Sequence, residues 1–237
     1  LDEEEESSSG EIFDSLEDPW AKPPQAAESD EALGQVTISD EFGKINLNAL
    51  FFEEAGEEKV YLRLESALRA LFSERGMTKD PVPAILDWLD ADDLIRPSGY
   101  ESSFYQGLDH PYEAKNGPMD SIEELLLIPG ITADVYFGTG EDGGGVALCE
   151  LLTVHGHPEG MVNINTAPQE VLIALMAAQA EPTTNWDIEG AGETVSLIAE
   201  MLEEQGPCRT QECVDQWNPA PVNPDPAQPV RTPPLNT

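Results

Sequence analysis

No lysine or arginine occurs between Asn116 and Cys208, a stretch that carries sixteen carboxylates. Affinity for nucleic acid comes largely from cations that displace counterions at phosphates, so this stretch should be repelled by a polyanion. Across all 237 residues, 11 Lys and Arg face 47 Asp and Glu, a formal net charge of -36. Self-repulsion of that size opposes a compact state unless cations or a basic partner offset it. Cysteine is scarce: there are three, and Cys149 stands alone. Cys208 and Cys213 form a C-x4-C pair without further Cys or a well-placed His, which excludes a zinc site. In an oxidising compartment that pair could close a small loop; three free thiols are the alternative, and spacing does not decide. No apolar run approaches the ~20 residues that span a bilayer, and neither initiator Met nor signal peptide is present. The expectation is a soluble protein, or the excised soluble part of an anchored one.

Catalytic signatures are missing too. There is no G-x-S-x-G elbow. The glycine-rich run Gly138–Gly145 lacks the Lys-Ser/Thr of a phosphate loop, and its Glu141-Asp142 would repel phosphate, so it reads as a connector. Cys149 and His155 have no arguable oxyanion donor or orienting group. His155 and His157 lack a third metal ligand and read as a surface turn. Carboxylate pairs of the glycosidase kind arise by chance among 47 acids. The expectation is that the protein is not an enzyme.

What is present is enough apolar residue, 40%, for a real core. Residues 1–33 form an acidic arm with one apolar island, in which Phe13, Leu16 and Trp20 recur at helical spacing. Residues 34–56 are a strand region. Gly34–Asp40 alternates, with Val36 and Ile38 on one face, and reads as a half-buried strand. Residues 57–205 follow a helical period. Leu64, Leu68, Leu71 and Phe72 make one stripe, and Asp80-Pro81 opens a helix whose Ile85, Leu86 and Leu89 face inward. Asp120 with Glu123, and Thr166 with Gln169, resemble capping boxes. Residues 206–237 are a proline-rich linker or tail. A lone strand is not stable by itself, so strands that complete the sheet are expected to be absent from this chain.

The richest chemical site is Asp87-Trp-Leu-Asp-Ala-Asp-Asp93, followed by Glu101 and Asp109, with only Arg96 to offset the charge; a solvated acidic loop is the alternative reading. Clustered carboxylates in a loop after a helix suit Ca2+, which takes many hard oxygen ligands in flexible geometry. Asp90 to Glu101 spans the length of an EF-hand loop, but Ile95 stands where that loop needs glycine, so a different calcium site is expected.

Two segments, Ser121–Ile131 and Val162–Leu175, look like the helix hairpins of nucleic-acid-binding proteins. The turn in the first is Pro129-Gly130-Ile131-Thr132, without the second glycine of the phosphate-binding form. Charge and turn together make these hairpins packing units. Leu126, Ile128 and Ile131 are the expected core side of the first; Val171, Leu172 and Leu175 are that of the second.

Phe13–Ala21, Gly43–Leu50, Ile85–Asp93, Tyr112–Met119, Ser121–Thr132 and Val162–Leu175 form a series whose order is distinctive. Over residues 12 to 203 the chain resembles the minor pseudopilin K family of the type II secretion system, also called general secretion pathway protein K. The resemblance implies an α+β fold: a small pilin-like β-sheet with a large inserted all-α domain that holds helix-hairpin-helix-like units. It implies a non-enzymatic role at the tip of the periplasmic pseudopilus, in a complex with minor pseudopilins I and J, without nucleic acid. It implies a membrane anchor through an N-terminal helix outside this chain, at the periplasmic face of the inner membrane. It also implies calcium in the helical domain, with Asp90, Asp92, Asp93 and Glu101 at the matching acidic positions. The pilin-like part, with Phe13, Leu16, Trp20, Val36 and Ile38, is the expected partner-binding surface. Two other readings are a nucleic-acid-binding helix-hairpin-helix protein, which charge disfavours, and a stand-alone calcium-binding module.

Overall fold

Leu64, Ala67, Leu68, Leu71 and Phe72 are all buried along one side of helix α1 (Glu58–Ser73). Their spacing repeats every three or four residues, which gives a helix one apolar stripe to bury. The opposite face carries a Glu65–Arg69 pair at 2.7 Å, four residues apart. Helix α2 (Val82–Leu89) differs: all eight of its residues are buried. Pro81 rather than Asp80 takes the N-cap position of this helix, and Asp80 sits one residue earlier, where its Oδ1 accepts the Val82 N–H at 3.0 Å.

A computed structural model describes residues 14–22, 37–51, 58–73, 75, 77, 79–139, 145–178, 188–208 and 235–236. Five further helices follow: α3 (Ser102–Tyr105), α4 (Ala133–Phe137), α5 (Leu148–Leu151), α6 (Gln169–Ala177) and α7 (Ile188–Gln205). Among the described residues, four two-residue strands form two parallel pairs. β1 (Ile45–Asn46) pairs with β2 (Leu152–Thr153), and β3 (Val162–Asn163) pairs with β4 (Leu235–Asn236). The fold is therefore α+β, with helix dominant and sheet minimal.

One large core joins α1 and α2 to Ile45, Leu47 and Leu50, to Leu148, Leu151 and Leu152, and to Leu125, Ile128, Ile131 and Val135 of the first hairpin. A smaller core holds Ile164, Leu172, Met176, Val195, Ile198 and Cys208. Helix α6 lies between the two, with Val171 in the larger and Leu172 in the smaller.

Several expectations are revised. Residues 37–40 form no strand, and Ile38 is 48% exposed. Among the described residues no neighbouring strand meets this segment; it is fastened instead at Asp40. There Oδ1 accepts the Phe42 N–H (2.9 Å), and Oδ2 accepts Thr166 Oγ1 (2.6 Å) and Asn163 Nδ2 (3.1 Å). Thr166 thus bonds Asp40 rather than capping α6, which begins after Pro168 without a side-chain cap. The first hairpin opens on a 3-10 turn, Ile122–Leu127, capped by Ser121 and Glu124 rather than by Asp120 and Glu123. The tighter winding turns Leu126 outward and buries Leu125. The tail does contribute a strand, through Leu235–Asn236.

Candidate metal-binding pocket

The site begins with a burial problem on α2. Asp87 is fully buried within a helix whose other residues are apolar, apart from the Trp88 N–H. A buried carboxylate is costly unless paired and hydrogen-bonded. The loop after α2 supplies the partner. It turns through Asp92, whose Oδ1 accepts the Leu94 N–H (2.7 Å), and through Ser98 in a left-handed conformation (φ 71°). That path returns Arg96 to Asp87. Its backbone N–H donates to Oδ2 (3.2 Å), and Nη1 donates to Oδ1 (2.8 Å). The same Nη1 also contacts Asp90 Oδ2.

Glu101 completes the group. It occupies the N-cap position of α3, but its side chain makes no capping bond. It is 1% exposed, and neither carboxyl oxygen has a hydrogen-bond partner. Asp90 Oδ1 is likewise buried and unpartnered. Ligand oxygens of Asp87, Asp90 and Glu101 all lie within 4.8 Å of one another. Burial, and after it the charges of Asp87, Asp90, Asp93 and Asp92, push the Glu101 carboxyl up to about 7. Burial also raises Asp90, against the opposing hydrogen bond and charge of Arg96.

An aromatic cluster adjoins the acidic group through Tyr105, which feels the charges of Asp87 and Glu101. Trp88 meets Tyr105 edge-on at 5.2 Å, and Tyr105 lies 5.1 Å from Tyr112. Burial raises the Tyr105 hydroxyl well above its ordinary range. Two polar tips tie this cluster to the first hairpin. Trp88 Nε1–H donates to Glu124 Oε2 (3.0 Å), and Tyr112 OH donates to the Leu127 carbonyl (2.8 Å). The Asp120 N–H donates to the other Glu124 oxygen (2.7 Å), so one carboxylate both caps the hairpin and anchors the aromatic cluster.

The donor set is chemically specific. It offers oxygen only, from carboxylates, without the nitrogen or sulfur that favours zinc or copper. Three buried oxygens without partners fit a hard divalent cation. Of the four positions picked from sequence, the structure brings Asp90 and Glu101 together, while Asp92 and Asp93 are exposed outside the group. The third member is Asp87. Its signal in the sequence is a single acid inside a helix with no polar face, three residues before Asp90 and so on the same side.

The expected partner surface is only partly described. Leu16 is 61% exposed beside a 3-10 turn at Pro19–Ala21, Trp20 is half-buried, and Ile38 is exposed. Phe13 and Val36 lie outside the described residues. The arm is nevertheless seated: Ser15 is buried, and Asn163 Nδ2 donates to the Asp14 carbonyl (2.9 Å). Leu16 and Glu17 border an apolar cavity of about 300 Å³ formed with Leu172, Val195, Ile198 and Leu202. Cys208 is disulfide-bonded and Cys149 is free; Cys213 lies outside the described residues. Asn165 holds the Cys208 backbone through paired bonds of 2.8 and 3.0 Å.

Residues 43–137, which contain the whole pocket, match the family described as Type II secretion system (T2SS), protein K. A protein K of Escherichia coli (strain K12) is 32% identical over 125 residues, covering 51% of this chain and 38% of that protein. The protein K of Pectobacterium carotovorum subsp. carotovorum is 35% identical over 69 residues, covering 29% and 21%. The chain thus spans well under half the length of these relatives. A chain in the crystal structure of the GspK-GspI-GspJ complex of the enterotoxigenic Escherichia coli Type 2 Secretion System shares the fold. Its TM-score is 0.54 at 22% identity, covering 87% of this chain and 71% of that one. Among the described residues no helix is long and apolar enough to cross a membrane.

Proposed function

We propose that this protein is a structural, non-enzymatic minor pseudopilin of the type II secretion system. It sits at the pseudopilus tip on the periplasmic side of the inner membrane, in a three-part complex with I-type and J-type minor pseudopilins. The protein K match over residues 43–137 carries this reading. The solved complex with GspI and GspJ supports the choice of partners. The exposed apolar side chains Leu16 and Ile38, on segments outside the helical body, support the pilin-like part as the contact surface.

The test is co-purification with the I-type and J-type pseudopilins of the same organism. A stable three-part complex on size exclusion is expected. Combined alanine substitution of Leu16, Trp20 and Ile38 should reduce its yield at least about tenfold, since a few central apolar contacts carry most interface energy. A complex that never forms would remove the proposed role; one that forms equally well with the triple variant would move the contact surface elsewhere.

The second element of the proposal is a calcium ion in the helical body. Glu101, Asp90 and Asp87 would hold it, and Asp92 and Asp93 would add charge nearby. The ion would neutralise buried carboxylates and brace the loop between α2 and α3; its role is structural. Ligand binding to the native state raises stability by RT ln(1 + [L]/Kd). Melting in calcium should therefore exceed melting in chelator by several degrees, and Glu101→Gln should abolish most of that gap. Equal melting temperatures in the two buffers would remove the ion from the proposal.

A further inference from the structure

Arg96 divides the carboxylates of the acidic pocket in a way that determines what else can enter. Asp87 Oδ1 accepts from the guanidinium Nη1 (2.8 Å), and Asp90 Oδ2 accepts from the same nitrogen. The atoms left unpartnered are Asp90 Oδ1 and both oxygens of Glu101. Three ionised carboxylates and one guanidinium sum to a local charge of -2, the complement of a single divalent cation.

We infer that Arg96 is a resident counter-ion that sets the cation affinity of this pocket. It rests on the calcium reading above. Arg96 supplies one of the three positive charges the buried carboxylates need, leaves two for the ion, and keeps the affinity below what three unpaired carboxylates would give. A positive charge within a few ångströms of a bound cation repels it, more so where the pocket is walled from water. Fully buried Asp87 and Tyr105 lie on the inner side of the group, while the Arg96 side chain is 35% exposed and that of Asp90 25%, so solvent screens part of the repulsion. The arrangement holds Asp87 and Asp90 in place while the cation is away, because a buried acid without any partner is strongly destabilising.

A mere structural ion pair and a counter-ion make opposite predictions. If Arg96 only positions the loop, its removal loosens the site and weakens calcium binding. If it is a counter-ion, its removal tightens binding while it destabilises the cation-free protein. The measurement is calcium affinity of the full chain, by competition with a chromophoric chelator from the calcium-loaded state, so that a variant unstable without calcium is still read. Arg96→Gln should bind calcium at least about tenfold more tightly than wild type. Arg96→Lys, which keeps the charge without the planar fork, should stay within about threefold. Unchanged or weaker binding in Arg96→Gln overturns the inference while the calcium reading stands. Equal tightening in Arg96→Lys overturns it as well, since charge would then not be the cause. A wild-type chain that binds no calcium overturns both.

Discussion

Asp87 Oδ2 occupies the space that any side chain at position 99 would need: a β-carbon on Gly99 would come within 1.9 Å of that oxygen and 2.7 Å of Asp87 Cγ. Asp87 has nowhere to go, being fully buried and held by Arg96. Gly99→Ala should therefore push Asp87 off its guanidinium and leave a buried acid short of partners. The expected loss is about 2–4 kcal/mol of folding stability, read by urea unfolding. Gly117→Ala is the control. It is also buried, but its β-carbon would meet only the Lys115 carbonyl at 3.7 Å, and its stability should change by less than about 1 kcal/mol. Equal losses at both positions would mean that the close approach to Asp87 is immaterial.

Glu101 makes the cation-free protein sensitive to pH in an unusual direction. Its carboxyl is raised from an ordinary value of 4.5 to about 7, chiefly by burial. Between those two values the folded chain holds a proton that the unfolded chain has released. Stability from this group is thus fully present below pH 4.5 and is lost as pH rises through about 7. In chelator, thermal melts should fall between pH 5 and 7.5. Repulsion among the remaining acids adds a slope of the same sign, so the decisive comparison is Glu101→Gln, which should flatten the profile by its own share. Saturating calcium should flatten it too, because the cation favours the ionised form. A profile identical in wild type and Glu101→Gln would show that Glu101 does not hold its proton across this range.

The parts of this molecule that could be read from residues alone are those with a repeating signal. Leu64, Leu68, Leu71 and Phe72 announce α1 because a helix repeats its inward face every three to four residues, and all four are buried. Thr132 announces α4, and its Oγ1 accepts the Val135 N–H at 3.3 Å. The sheet was not readable. Two-residue strands such as Ile45–Asn46 and Leu152–Thr153 have no period, and their parallel pairing joins residues more than a hundred positions apart. The alternation at Gly34–Asp40 carried the strand signal instead. Ser121 rather than Asp120 opens the first hairpin because a 3-10 turn, not an α-helix, follows. Within the pocket, Glu101 and Asp90 were legible as loop acids after a helix. Asp87 was legible as the first acid of that run but was not among the expected ligands, because its burial and its pairing with Arg96 depend on the path of the returning loop.

The Asn163-Ile-Asn165-Thr166 run, which looked like part of a nucleic-acid motif, is a clasp. Ile164 enters the smaller core, and the three polar side chains fasten different segments to it. Asn163 binds the arm at the Asp14 carbonyl and the Asp40 carboxylate; Thr166 also binds Asp40; Asn165 binds Cys208. Asn163→Ala removes both amide donations, one of them to a carboxylate, which should cost about 1–3 kcal/mol of local stability. The loss should fall on the arm. Exchange of backbone amides in residues 15–21 should speed up about tenfold or more, with exchange in α1 and α2 unchanged, because local opening can occur below the global free energy. Asn165→Ala should act elsewhere, loosening the chain at Cys208 and leaving the arm protected. If Asn163→Ala leaves exchange in residues 15–21 as it was, other contacts of the arm, such as Ser15 and Leu16, hold it and the clasp assignment falls.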